Sequence, residues 1–335
     1  QAMPGVLGTS VPKENNSTLR TRGWEISLNW KHALENGLSY NLGISLYDYK
    51  SVVTKYFNPT GTLSTWYEGA EVGDIWGYTV NDLFRSQEDL DSYLSKVDMT
   101  HIAANWNTGD LKYEDINHDG KVNNGTNTIG NHGDLSVIGN DQPHYQYTIN
   151  GGVSYKGFDF SMLWRGVAKK DMYFYRGSNI YWGFMGGWWE SCLTPEHLDY
   201  FRDQPGSKYS GLYEGDANIN TDAYWPRPYL NNTEEAKNKN HANTRYLQNA
   251  AYLRLQNVQL GYSFPRSITS KMHLEKLRIY FSGENLLTFS KLPSGIDPVA
   301  PVGFPTGGEF FGTAGSGRLT YGADRIYSIG LTVTY

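Results

Sequence analysis

The chain closes on Arg325-Ile326-Tyr327-Ser328-Ile329-Gly330-Leu331-Thr332-Val333-Thr334-Tyr335. Successive side chains of a strand point to opposite faces. Tyr327, Ile329, Leu331, Val333 and Tyr335 therefore share one face, and Ser328, Gly330, Thr332 and Thr334 share the other. A final strand this cleanly divided, with an aromatic last residue, suits a wall that meets lipid on one side and must be paired on its edges. The five apolar residues are the expected membrane-assembly signal.

The same alternation recurs upstream. Trp24, Ile26, Leu28 and Trp30 alternate with polar residues, as do Leu38, Tyr40, Leu42, Ile44 and Leu46. Tyr145, Tyr147, Ile149, Val153 and Tyr155 form a third row, and Phe158, Phe160, Met162 and Trp164 a fourth. Val258, Leu260, Tyr262 and Phe264 are the fifth; Leu277, Ile279, Phe281, Leu287 and Phe289 are the sixth. With the last strand this predicts an all-β chain of seven strands. One such strand would fit a soluble sandwich; the repetition, with aromatics near the strand ends, favours a barrel wall with aromatic girdles.

Composition narrows the classes. No apolar run is long enough for a transmembrane helix, and barrel strands need none because they are only half apolar. Aromatics make up 15% of the 335 residues, with 26 Tyr and 10 Trp, more than a soluble core needs and suited to bilayer interfaces. A net charge of −5 gives no nucleic-acid footprint. The single cysteine, Cys192, excludes an intrachain disulfide. The opening Gln1-Ala2-Met3-Pro4 has neither the basic nor the apolar part of a signal peptide. Bacterial barrels have an even number of strands, so seven strands are expected to be the C-terminal part of a larger one.

The connections alternate in length. His32 to Gly37, Lys156-Gly157 and Pro265 to Leu274 are turns; residues 51–141, 171–245 and 291–319 are long loops. Barrels of this kind keep short turns on the periplasmic side and long loops outside. The C-terminus is thus expected in the periplasm of an outer-membrane protein, with residues 1–19 as the end of an earlier extracellular loop and 20–335 as barrel. Ser86 to Leu94 is predicted as a short helix with Ser86 as N-cap.

Three groups of residues carry candidate chemistry. Asp115-Ile116-Asn117-His118-Asp119-Gly120-Lys121-Val122-Asn123 follows the first nine positions of a calcium loop. Oxygen ligands fall at Asp115, Asn117 and Asp119, with Lys121 and Asn123 at the next alternate positions, Gly120 at the sharp turn and Val122 as apolar anchor. Thr126 stands where a bidentate acid is required, and Asp134 supplies that acid if residues 124–133 bulge out. Ca2+ or Mg2+ is the expected ion; the competing reading is a loop held by its own Asx turns. Trp182, Trp188 and Trp189 form the densest aromatic cluster, either a ligand-stacking platform or a small loop core. Asp171, Glu190, Glu196 and His197 match no catalytic or metal spacing, and no nucleophile elbow or phosphate loop is present, so no enzyme is expected.

With these elements in place, the chain resembles the SusC/RagA family of TonB-dependent outer-membrane transporters. Val6 to Asn15 followed by Arg22-Gly23-Trp24-Glu25 looks like the approach to a late barrel strand. Tyr67-Glu68-Gly69, Gly73-Asp74-Ile75-Trp76-Gly77-Tyr78, and Asp115 to Val122 followed by Val137-Ile138-Gly139-Asn140 look like the loop that comes next. Tyr252-Leu253-Arg254-Leu255-Gln256-Asn257-Val258, Leu277-Arg278-Ile279-Tyr280 and Glu284-Asn285-Leu286-Leu287-Thr288-Phe289 are the most specific segments. The resemblance implies a barrel of about 22 strands with an N-terminal plug that meets the TonB complex. It also implies a SusD-like lipoprotein lid over the extracellular loops, and oligosaccharide or oligopeptide cargo. The rivals are a siderophore or cobalamin receptor of the same barrel class and a soluble glycan-binding β-sandwich.

Overall fold

The computed structural model describes residues 17–174, 179–186, 193–208, 213–229, 232–299 and 322–335. Seven strands form one sheet: β1 (Ser17–Ala33), β2 (Ser39–Tyr56), β3 (His144–Tyr155), β4 (Phe158–Lys169), β5 (Tyr252–Ser263), β6 (Lys276–Ser290) and β7 (Ile326–Thr334). They lie side by side in chain order, each antiparallel to the next. These are the seven segments marked by alternation.

Register lines up the apolar residues. Tyr40 faces Val153, Val153 faces Phe160, Phe160 faces Leu260, Leu260 faces Phe281 and Phe281 faces Ile329. A parallel row begins Leu28, Ile44, Ile149, Trp164. Among the described residues no second sheet covers this face. Leu28 is 65% exposed, Leu260 52% and Ile329 83%. Burying one large apolar side chain is worth roughly 1.5–3 kcal/mol, so leaving two full rows in water forgoes more than a domain's net stability of about 5–15 kcal/mol. The face requires an apolar environment. A soluble sandwich would supply one with a second sheet; the other sheets of the described residues are three two-stranded ribbons within the long connections. No described helix is long and apolar enough to cross a membrane.

The other face is polar and satisfied within itself. Ser39 Oγ lies 2.7 Å from Ser154 Oγ, and Ser27 Oγ lies 3.0 Å from Ser45 Oγ. Arg278 donates from Nε to Asp159 at 2.9 Å and from Nη2 to Gln259 at 2.9 Å.

Two features depart from simple alternation. β1 begins at Ser17 and β2 runs on to Tyr56, because Thr21 pairs with Ser51 and Arg20 with Val52. The first long connection therefore starts after Tyr56 rather than at the expected residue 51. In β5 the register shifts between Leu255 and Asn257. This bulge re-phases the strand, so Leu255 faces Trp164 in the apolar row while Arg254 faces Arg165 on the polar side.

The tight turns all fall at one end of the sheet. Lys156 and Gly157 both take positive φ, 47° and 88°, the two-residue hairpin geometry whose twist matches that of the strands. A Cβ on Gly157 would sit 2.6 Å from the Ser263 carbonyl oxygen. Gly157→Val is expected to destabilise the β3–β4 hairpin by at least ~1–2 kcal/mol. Denaturant unfolding of the full-length protein, compared with Lys156→Asn as a neutral turn control, checks this.

Candidate functional site

The opposite end carries the long connections, and the buried core lies there rather than in the sheet. Ile75, Tyr78, Leu83, Phe84, Leu111 and Tyr113 come from the β2–β3 connection. Tyr173, Phe174, Trp182, Phe201 and Trp225 come from the β4–β5 connection, and both sets pack in one cluster. Tyr78 N donates to Ala242 O at 2.8 Å and Val80 N to Thr244 Oγ1 at 2.9 Å. Gly77 permits this approach, since a Cβ there would lie 2.5 Å from Ala242 O. The predicted helix is present as α1 (Gln87–Leu94), with Ser86 Oγ accepting from Asp89 N at 3.2 Å.

A polar network clamps the two connections together. Helix α2 (Asn232–Lys239) is hydrophilic in sequence, yet Lys237, Asn238 and Lys239 are buried. Lys237 Nζ meets Asp110 at 2.7 Å with both side chains fully buried. Asp110 also accepts from Asn238 Nδ2 at 2.9 Å, Tyr229 OH at 2.8 Å and Asn107 N at 2.8 Å. Burial pushes the Asp110 carboxyl up, against the opposing pull of Lys237. Sequence reasoning missed this network, because the paired residues stand more than a hundred positions apart and carry no motif.

The tryptophans divide. Trp182 is fully buried and donates from Nε1 to Phe174 O at 2.7 Å. It meets Trp225 and Tyr246 edge-on at 5.7 and 5.1 Å. That places it inside the loop core, with no face open for ligand stacking. Trp188 and Trp189 lie outside the described residues, as does Glu190. Asp171 and His197 serve separate local bonds, Asp171 with Asn140 N at 3.0 Å and His197 Nε2 with Tyr181 O at 2.8 Å.

The acidic loop closes on itself. Asp115 Oδ2 accepts from Gly120 N at 2.8 Å, Asn117 Oδ1 from Asp119 N at 2.9 Å, and Asp119 Oδ1 from Lys121 N at 2.8 Å. Gly120 has φ of +81° and Val122 is fully buried. Residues 124–133 fold out and return, with Asp134 N bonded to Asn123 O at 2.8 Å. The buried Asp134 carboxylate then straps the loop, accepting from Ile116 N at 2.9 Å and Asn123 N at 2.8 Å. Thr126 is drawn away into the excursion, where its hydroxyl meets Thr128 Oγ1 at 2.9 Å. Among the described residues no group of three or more His, Cys, Asp or Glu side chains converges as a metal cluster. Asp115, Asn117 and Asp119 keep the alternate spacing of a calcium loop, and a carboxylate oxygen that accepts one hydrogen bond keeps a second lone pair.

A two-faced antiparallel sheet, with tight turns at one end and a folded loop cap at the other, is the kind of wall from which outer-membrane barrels are built. No family profile matches the chain. TonB-dependent receptor P3 of Formosa agariphila is 23% identical over 89% of this chain and 27% of its own length. TonB-dependent receptor P26 of the same organism is 24% identical over 99% of this chain and 31% of its own. Among solved structures, the RagAB peptide transporter matches 99% of the chain and 31% of its own at a TM-score of 0.60 and 16% identity. The RagAB peptide importer in the open-open state matches at 0.57 and 15%. The chain resembles the SusC/RagA-type TonB-dependent transporters in sequence and in fold, and spans under a third of the length of these relatives.

Lys237→Met leaves Asp110 buried without its cation, and the cap is expected to lose about 3–5 kcal/mol; Lys237→Met with Asp110→Leu should recover part of that, read by limited proteolysis of the cap. His241 provides a pH test. Burial, with His101 nearby, lowers its pKa to about 4. The neutral ring therefore favours the folded cap above pH ~6.5, and this contribution is lost as pH falls through 4. The protection of Tyr78 to Leu83 amides against hydrogen exchange, corrected for the intrinsic exchange rate at each pH, should fall over that window, and His241→Gln should abolish the dependence.

Proposed function

We propose that this chain is the C-terminal wall and loop cap of a TonB-dependent importer, part of a barrel of about 22 strands in the bacterial outer membrane. The carrying observation is the sheet itself, with one face bare and apolar and the other polar and self-satisfied. Such a sheet suits a wall between lipid and a polar lumen. Short turns would then lie in the periplasm with the C-terminus, and the loop cap outside. The remaining strands and the plug would come from the rest of the protein, and TonB would act through that plug.

The cargo class we favour is an oligopeptide or oligosaccharide, captured between the loop cap and a SusD-like lipoprotein lid. Support comes from the relatives, named as TonB-dependent receptors and as a peptide transporter. The role assigned to this chain is enclosure and gating, with no catalytic step. The Asp115 loop would take Ca2+ or Mg2+ through Asp115, Asn117 and Asp119, stiffening the cap at its edge.

Purification of the full-length protein from outer membranes in mild detergent, with mass spectrometry of co-eluting species, tests the proposal. A lipoprotein partner and retained oligomeric cargo are expected; a lone water-soluble protein would overturn it. For the ion, Ca2+ is expected to raise the cap's resistance to proteolysis, and Asp115→Ala with Asp119→Ala to remove the increment. Equal protection with chelator would leave the loop as an Asx-turn structure alone.

A further inference from the structure

We propose that the short-turn end of the wall binds one anionic phospholipid, with an acyl chain in a groove on the apolar face and the phosphate among Lys156, Arg266 and Lys271. This rests on the barrel reading, which puts that end at the inner leaflet.

The groove has a volume of about 410 Å3. Phe158, Leu260, Tyr262, Phe264, Ile279 and Phe281 line it. Its aromatic end is ordered by ring contacts, Phe158 to Tyr262 at 4.6 Å and Tyr262 to Phe264 at 5.1 Å between centroids. Phe158 and Phe264 place one end of it at the short-turn end of the strands.

Charge collects at that same end. The Lys156-Gly157 turn packs on β5, with Ser263 N donating to Gly157 O at 2.8 Å. β4 and β5 are neighbours, so this turn lies beside the 265–274 connection. The whole segment between β5 and β6, residues 264–275, carries Arg266, Lys271 and His273 against one acid, Glu275. Asp159, at the start of β4, is already held by Arg278. Among the described residues Lys156, Arg266 and Lys271 form no ion pair.

The connection also presents apolar residues outward. Ile268 is 44% exposed and Met272 54%. They stand four positions apart in consecutive helical turns (Arg266–Thr269 and Ser270–Met272) and so share a side. Apolar residues mixed with basic ones at a membrane surface lie in the headgroup region, with chains below and phosphates alongside. The cations favour a net-negative head over a zwitterionic one.

Native mass spectrometry of the full-length protein, titrated with phosphatidylglycerol or with phosphatidylcholine of the same chains, tests this. Phosphatidylglycerol should bind more tightly, and each of Lys156→Gln, Arg266→Gln and Lys271→Gln should weaken it by about fivefold. Ile279→Trp, which fills the groove, should weaken both lipids. Heat-modifiable migration confirms that each variant is folded. Unchanged phosphatidylglycerol binding in the folded triple variant would overturn the proposal while leaving the importer reading intact. A photo-crosslinker at Phe264 should capture phospholipid; capture of lipopolysaccharide would put the short turns at the cell surface and overturn it too. A protein absent from the outer-membrane fraction would defeat the importer reading first.

Discussion

Backbone amides facing hydrocarbon have no water to bond, so a strand there must be paired on both edges. The seven-stranded sheet meets that demand internally at β2 to β6, while β1 and β7 each have one partner among the described strands. The same condition sorts the side chains. Residues on the bare face are apolar without a covering layer, and residues on the other face satisfy one another. The serine pairs and the Arg278–Asp159–Gln259 group are the result. A protein in water would instead need its core beneath the sheet, and here the buried cluster lies in the connections.

That displacement explains the cap's chemistry. The connections at one end of the sheet leave its apolar face uncovered and build a core of their own. The two long connections do so by pooling aromatics, with Trp182, Trp225 and Tyr246 at the centre. A core made of loops also encloses backbone groups that no sheet or helix satisfies. Buried side chains take over that task. Asp110, Lys237 and Asn238 tie the β2–β3 connection to α2, and Tyr173 OH reaches the His241 carbonyl at 2.8 Å. A buried network of this kind rigidifies the cap only when its members are paired, because a half-satisfied version would be worse than none.

The acidic loop belongs to the same logic. It sits where the chain leaves the cap for β3, and Asp134 fastens its two ends. The excursion of residues 124–133 is absorbed by that fastening: it leaves and returns at nearly one point, Asn123 and Asp134.

The wall was legible in the sequence because a strand's period of two is a local property, and one apolar face exposes it residue by residue. Trp24 to Trp30, Phe158 to Trp164 and Tyr327 to Tyr335 needed no partner to be recognised, and the Ser86 cap was equally local. The bulge at Leu255 to Asn257 was hidden, since it appears only when neighbouring strands are counted against each other. The cap's organisation was hidden more deeply. Asn232 to Lys239 is hydrophilic along its length, and only the residues brought to it from the other connection make it buried. Trp182 likewise offered two readings, platform or core, and packing against Trp225 and Tyr246 decided between them. Which side of the wall a residue faces follows from its immediate neighbours in the chain. What the long connections do follows from packing, because their stability comes from pairs of residues far apart in the chain.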